Sequence, residues 1–210
     1  MIAIIDYDAG NLASVERAVR HIGHPCEVTA DTAAIDRAER LIFPGVGAAG
    51  AAMESLRRLG LDAAIRRAVN EGRPVLGICL GTQIVMGRSE EDGGIDCLGL
   101  VDGAVRRFPA GMTGPDGAPL KIPHMGWNRL RVRRDHPVLA GLATDDEFYF
   151  VHGYHPAPAD PEAVLCETEY GLTFASVVGV GSLVATQFHL EKSGRPGLRI
   201  LTHFCEWTPC

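Results

Sequence analysis

Nowhere do these 210 residues run apolar for the roughly 18 positions that a membrane-spanning helix needs, so no membrane span is expected. Basic residues are the minority: 20 Lys and Arg against 26 Asp and Glu leave a net charge of -6, and no global positive field exists to hold nucleic acid. The one local cluster, Arg129, Arg131, Arg133 and Arg134, reads as a solvated strand face. Cys26, Cys79, Cys97, Cys166, Cys205 and Cys210 form no CxxC pair and no framework spacing. That excludes a zinc ribbon or a disulfide scaffold and suggests a reducing, cytoplasmic compartment. No His, Cys and carboxylate cluster has metal-ligand spacing, and neither a metal nor another cofactor is expected. The opening stretch MIAIIDYDAGN lacks a positive n-region and reads as a buried first strand, not a secretion signal. Internal repeats and low-complexity tracts are absent too.

With 46% hydrophobic and 22% charged residues, the chain can bury one sizeable core, and its length fits a single domain over 1–210. Through the first half, short runs at 2–7, 41–43 and 74–78 read as strands of a parallel sheet, and 27–29 fits a further strand. Between them, Leu12, Val15, Ala18, Val19 and Ile22 share one helical face that Gly23 closes. Further helical stretches cover 33–38, 51–59 and 61–69, and another begins over 81–86. The second half changes character. Strands are expected at 100–108, 127–132, 147–151, 163–167 and 174–188, with a Gly- and Pro-rich loop over 109–123. A last helix over 194–205 has Ser193 as its N-cap and turns Leu198, Leu201 and Phe204 inward. The pattern predicts an α/β fold: a mostly parallel central sheet flanked by helices, with an antiparallel extension in the second half. Ligands on such sheets sit beyond the carboxyl ends of strands, where Pro44-Gly45-Val46-Gly47 and Cys79 both fall.

The strongest chemical signal is Gly77-Ile78-Cys79-Leu80-Gly81, set between a strand and a helix. Flanking glycines permit the tight turn of a nucleophile elbow, and the following helix N-terminus favours the thiolate. Chance gives roughly 0.08 such pentapeptides at this composition, although a small buried cysteine between packing glycines would spell the same letters. A thiolate needs an oriented base. Gln187-Phe188-His189-Leu190-Glu191, at the end of the last long strand, offers one: residues i and i+2 share a strand face, so Glu191 can hold one ring nitrogen of His189 while the other meets Cys79. For the oxyanion of acyl transfer, the N–H of Leu80 and the Pro44–Gly47 turn are candidate donors. Among the other histidines, His21, His24, His136 and His203 read as surface or helix-face residues. His152 and His155 flank Tyr154 and fit either the core or an interface.

GICLGTQ around Cys79, PGVG at 44–47 and QFHLEKS at 187–193 resemble the class I (triad) glutamine amidotransferases. DYDAGNLASV at 6–15, IPHMGWN at 122–128 and FYFVHGY at 148–154 narrow the resemblance to the glutaminase subunits of imidazole glycerol phosphate synthases, nearly end to end. The resemblance implies a flavodoxin-like class I amidotransferase fold and release of ammonia from glutamine. The ammonia would pass to a HisF-like (β/α)8 cyclase partner that makes imidazole glycerol phosphate and AICAR in histidine biosynthesis. It further implies that Cys79 forms the glutamyl thioester, His189 shuttles protons and Glu191 orients His189. Gly47 and Leu80 would line the oxyanion hole, and Gln83 and Glu91 would contact glutamine. Asn11, Trp127, Tyr154 and Lys192 match positions that the family turns toward its cyclase. The sequence departs from the family pattern at Asp8, Thr82 and Leu190, where Gly, Met and Pro are common. Three alternatives compete: an amidotransferase serving a chorismate or nucleotide synthase, a stand-alone cysteine hydrolase of the same architecture, and a binding subunit without activity.

Overall fold

The alternation of apolar runs and amphipathic stretches resolves, in a computed structural model describing residues 1–209, into fourteen strands and six α-helices. Cys210, the last of the six cysteines, lies outside the described residues. The first half holds β1 (Ile2–Ile5), α1 (Leu12–His21), β2 (Cys26–Thr29), α2 (Thr32–Arg37), β3 (Arg40–Gly45), α3 (Ala49–Leu59), α4 (Leu61–Asn70), β4 (Val75–Cys79) and α5 (Leu80–Ile84). There follow β5 (Met86–Ser89), β6 (Ile95–Asp96), β7 (Val101–Arg107), β8 (His124–Arg129), β9 (Arg131–Val132), β10 (Glu147–His152), β11 (Tyr154–Pro158), β12 (Val164–Glu169), β13 (Thr173–Val180), β14 (Leu183–Thr186) and α6 (Gly194–Glu206).

The main sheet has the order β2-β1-β3-β4-β14-β13-β12-β9. Its first five strands run parallel, and the remaining three continue it antiparallel, which bears out the expected α/β architecture. Strand alternation sorts the side chains to two faces. Ala3, Ile5, Leu41 and Phe43 join Met53, Leu56 and Ile65 of α3 and α4 on one face. Ile2, Ile4, Ile42, Leu76 and Ile78 meet Val15 and Val19 of α1 and Leu201 and Phe204 of α6 on the other. Each fully buried Ile, Leu or Phe contributes about 1.5–3 kcal/mol relative to exposure, so the two layers hold the sheet rigidly between them. Two small sheets, β10-β8 and β11-β7-β5-β6, flank the carboxyl ends of the parallel strands.

Four expectations need correction. The helix expected over 81–86 stops at Ile84, and Met86–Ser89 becomes a strand because β7 supplies it with lateral hydrogen bonds, a long-range pairing that local pattern does not carry. The single strand expected over 174–188 is a hairpin, folded at Gly181, whose φ of 57° lies in the left-handed region. His189 and Glu191 therefore do not lie on a strand: His189 makes one isolated bridge to Tyr149, and Glu191 sits in a 3-10 turn over Leu190–Lys192. Ser193 precedes α6 but caps nothing with its side chain; its hydroxyl donates to the His189 carbonyl (2.5 Å) and accepts from the Tyr149 N–H (3.0 Å). The strand Tyr154–Pro158 was also hidden, by Pro156 and Pro158, which its edge position tolerates. The exposed arginine run is neutralised by carboxylates: Arg129 by Glu147, Arg131 and Arg133 by Glu167, Arg134 by Glu162.

The elbow after β4 depends on close backbone approach. A Cβ on Gly77 would meet that of Ala185 at 2.9 Å, and one on Gly81 would run into the Phe43 carbonyl oxygen. Since main chain cannot yield as a flexible side chain does, Gly81→Ala should destabilise the fold by about 2 kcal/mol in urea titrations. A change below about 0.5 kcal/mol would show that α5 can lift away from β3 without cost.

Candidate active site

Gly45 of β3 stands in register with Cys79 of β4, so the two chain ends leave the sheet side by side, next to the β1–β3 switch in strand order. Cys79 has φ 55° and ψ -102°, a strained conformation that a non-glycine residue keeps only where its surroundings impose it. Leu80, directly after it, is the first residue of α5, and its N–H has no helical acceptor. Gly47 has φ 106° in the loop between β3 and α3. A cleft of about 280 Å³ opens over these groups, lined by Val46, Gly47, Cys79, Leu80, Gln83 and Glu91 on one side, and by Val151, His152, Tyr154 and His189 on the other. It lies near the small end of ligand pockets, about 300–1,000 Å³, which suits an amino-acid-sized ligand.

His189 and Glu191 have fully buried side chains, with His189 Nδ1 2.7 Å from Glu191 Oε1. A carboxylate only accepts, so Nδ1 carries the hydrogen, and Nε2, which makes no hydrogen bond of ordinary geometry within the chain, is the exchangeable edge. The turn at Leu190–Lys192, not strand alternation, brings the two together. Leu190 is the first residue of that turn, a position that proline also fits, which accounts for the tolerated departure. Burial opposes a charge on His189, but Cys79 and Glu191 outweigh it and raise its pKa to about 9. Burial likewise opposes ionisation of Glu191, and hydrogen bonds and charge from His189, with Asn11, hold its carboxyl below the usual range.

Asn11 is left-handed (φ 77°) at the start of α1, makes no side-chain cap hydrogen bond, and through its Nδ2 donates to Glu191 Oε1 at 2.6 Å. Gln83 Nε2 donates to the Tyr154 carbonyl (3.0 Å) and to Gln187 Oε1 (3.2 Å). Glu91 Oε2 accepts from the Ala49 N–H at the start of α3 (2.7 Å), which holds this carboxylate at the rim. The other departures also find local explanations. Asp8 adopts φ 65°, where glycine is easiest and Asp is tolerated, and the Thr82 hydroxyl donates to the Thr186 carbonyl at 2.5 Å.

The four residues matched to a partner-facing surface do not all come together. Trp127 is 55% exposed on β8 and packs edge-on to Tyr149 at 5.9 Å. Lys192 Nζ lies 5.8 Å above the same Tyr149 ring. Tyr154 instead lines the cleft, and Asn11 turns its amide to Glu191. Tyr149 was missed from sequence, as were Ser193 in its bridging role and Gln187, whose amide lies 3.9 Å from Cys79 Sγ. A buried polar glutamine inside QFHLEKS was the only signal for the last. His152 and His155 belong to a core cluster with His124, Phe108, Phe150 and Phe174. Burial pushes His124 down to about 4 and His152 to about 3. Among the described residues no group of three or more His, Cys, Asp or Glu could hold a metal ion, and no helix is long and apolar enough to cross a membrane.

The family model described as glutamine amidotransferase class-I matches residues 3–206. Imidazole glycerol phosphate synthase subunit HisH of Nitratidesulfovibrio vulgaris (strain DP4) is 51% identical over 97% of this chain and 95% of its own length. The HisH subunit of Methylococcus capsulatus is 47% identical over 99% and 97%. Among solved structures, one described as a glutamine amidotransferase superposes with a TM-score of 0.75 at 19% identity, covering 98% of both chains. PurLQS from Thermotoga maritima gives 0.72 at 17% identity, over 98% of this chain and 97% of that one. At such identities the structural likeness speaks for the fold alone.

The opposed pKa shifts give stability a definite pH dependence. His124 and His152 are depressed in the folded state, so unfolding takes up protons below about 6.5, and their contribution is lost as pH falls toward 4. Glu191 acts in the same direction, below about 4.5. His189, raised to about 9, contributes fully below about 6.5 and loses that contribution as pH rises through 9. Urea titrations between pH 4 and 10 should show a maximum near about 6.5–7, and His124→Phe, which retains an aromatic ring, should flatten the acid limb. An acid limb unchanged in that variant would mean the histidine cluster is not the source.

Proposed function

The chain belongs to the class-I glutamine amidotransferase family, and from that premise we propose that Cys79, His189 and Glu191 form the triad with which it takes ammonia from glutamine. It is the glutaminase subunit of an imidazole glycerol phosphate synthase, acting in histidine biosynthesis. One observation carries the triad assignment: the strained elbow opens Cys79 into the same cleft as His189, whose far nitrogen is held by Glu191 at 2.7 Å.

The cleft supports the following chemistry. The Cys79 thiolate adds to the glutamine carboxamide carbon, and the oxygen becomes an oxyanion received by the Leu80 N–H and the Gly47 turn. His189 gives its Nε2 proton to the leaving nitrogen as the C–N bond breaks; ammonia departs and a glutamyl thioester remains. Water then adds to the thioester, losing a proton to His189. Collapse releases glutamate and restores the thiolate. Glu191 and Asn11 keep the imidazole turned toward the sulfur throughout, while Gln83 and Glu91 receive the polar end of glutamine. No residue in this scheme needs a metal or an organic cofactor.

The partner is a HisF-like (β/α)8 cyclase that receives the ammonia, in a heterodimer formed by a single amidotransferase domain over 1–210 in the cytoplasm. Val46, Ile122, Met125 and Trp127 are exposed apolar side chains, Met125 and Trp127 share one face of β8, and Lys192 adds a cation beside them. An apolar patch rimmed by charge is what a stable partner covers.

Cys79→Ala should remove glutamine-dependent synthesis by at least about a thousandfold, while synthesis from added ammonium salts stays within about twofold. Glutaminase turnover surviving in the variant would refute the nucleophile. At the docking face, Trp127→Ala or Lys192→Ala should raise the cyclase concentration needed for half-maximal stimulation about tenfold. An unchanged concentration in both variants would move the interface elsewhere.

A further inference from the structure

We propose that the buried carboxamide of Gln187 is a hydrogen-bond donor to the Cys79 sulfur, locked in that orientation by the main-chain carbonyl of Tyr154 acting through Gln83. The proposal rests on the reading of Cys79 as the nucleophile. A side-chain amide can face two ways, and its ends differ in character: the oxygen accepts and the nitrogen donates. Which end meets the sulfur is decided by a partner whose character is fixed.

That partner is the Tyr154 carbonyl, which can only accept. It lies 3.0 Å from one end of the Gln83 side chain, so that end is Nε2. The same nitrogen meets Gln187 at 3.2 Å, so the Gln187 end there is Oε1. The opposite end, 3.9 Å from Cys79 Sγ, is then the N–H-bearing nitrogen, within the longer reach of a sulfur acceptor. Reversing Gln187 would set two donors against each other at Gln83 and turn lone pairs toward the sulfur. Gln187 is wholly buried and Gln83 nearly so, leaving no solvent to absorb that mismatch.

The same carbonyl fixes a second chain. His152 Nδ1 approaches it at 2.8 Å and must carry a hydrogen. His152 Nε2 is then bare and accepts from His124 Nδ1 at 3.1 Å, and His124 Nε2 accepts from Asn128 at 3.4 Å. Both lone pairs of the carbonyl are thereby occupied, so it cannot turn from Gln83 without stranding His152. Around Cys79 the remaining titratable groups are His189 with Glu191 behind it, Tyr7 beyond the end of β1, and His152 and Glu91 along the cleft. Gln187 differs from all of them in having no charge to gain or lose. A neutral N–H donor favours sulfur as the anion over sulfur as the thiol.

The test is the rate of Cys79 alkylation by iodoacetamide in the full chain between pH 5 and 10, followed on the Cys79 peptide by mass spectrometry. Gln187→Met keeps the volume and loses the donor. The pH of half-limiting rate should rise by about one unit, and glutamine kcat should fall about tenfold with KM changed less than about threefold. A structural role alone would lower the thermal midpoint and leave the alkylation profile in place. A folded Gln187→Met with the wild-type profile overturns the proposal, and Gln187→Ala is judged by the same rule if the longer side chain prevents folding. Wild-type Cys79 reacting no faster than buried Cys205 would instead sink the nucleophile reading, and the proposal with it.

Discussion

The descent of α5 onto β3, where the Gly81 backbone meets the Phe43 carbonyl, is the contact from which the rest of the site is measured. It forces the chain to reverse within one residue, and Cys79 absorbs the reversal with a positive φ. The sulfur is thereby lifted clear of the sheet while remaining nearly buried. It also leaves the N–H of Leu80 without a helical acceptor at the floor of the cleft. The sheet can bear the strain because its parallel strands are packed on both faces, by α3 and α4 on one and by α1 and α6 on the other.

Two polar systems of opposite electrical character converge on that sulfur. On the α1 side, Asn11, Glu191 and His189 form a charged set whose members favour one another's ionised forms. On the β8 side, Asn128, His124, His152, Gln83 and Gln187 form a neutral set in which burial suppresses charge. A low-dielectric interior amplifies both tendencies. The division lets one edge of the sulfur face a movable proton and the other a fixed dipole.

What could be read before folding was whatever depends on neighbours in sequence. The elbow glycines, the βα rhythm and the His189–Glu191 pair all lie within short stretches, and all reappear in the fold. The geometry assigned to the pair was mistaken, since two residues apart on a strand and two residues apart on a helical turn can both bring side chains together, and the letters do not distinguish them. The small four-stranded sheet stayed hidden because β5 is defined by its partner β7 and β11 by tolerance of prolines at an edge. Tyr149 escaped notice for a similar reason: what singles it out is its place between Trp127 and the His189–Lys192 turn, which come from two segments distant in sequence. Asp8 runs the other way. Its left-handed φ makes sense of a position where the family favours glycine.

At residue 154 the feature that orders the neutral set is a peptide oxygen, and every one of the twenty residue types carries the same oxygen. The information lies in where the backbone runs, so a change of letter at that position can leave the orientation of four side chains intact. A register slip of β11 against β7 would scramble them without altering a single letter. The heritable determinant of those orientations therefore resides in the strand pairing of a small sheet at the cleft wall, in backbone that carries no reacting group.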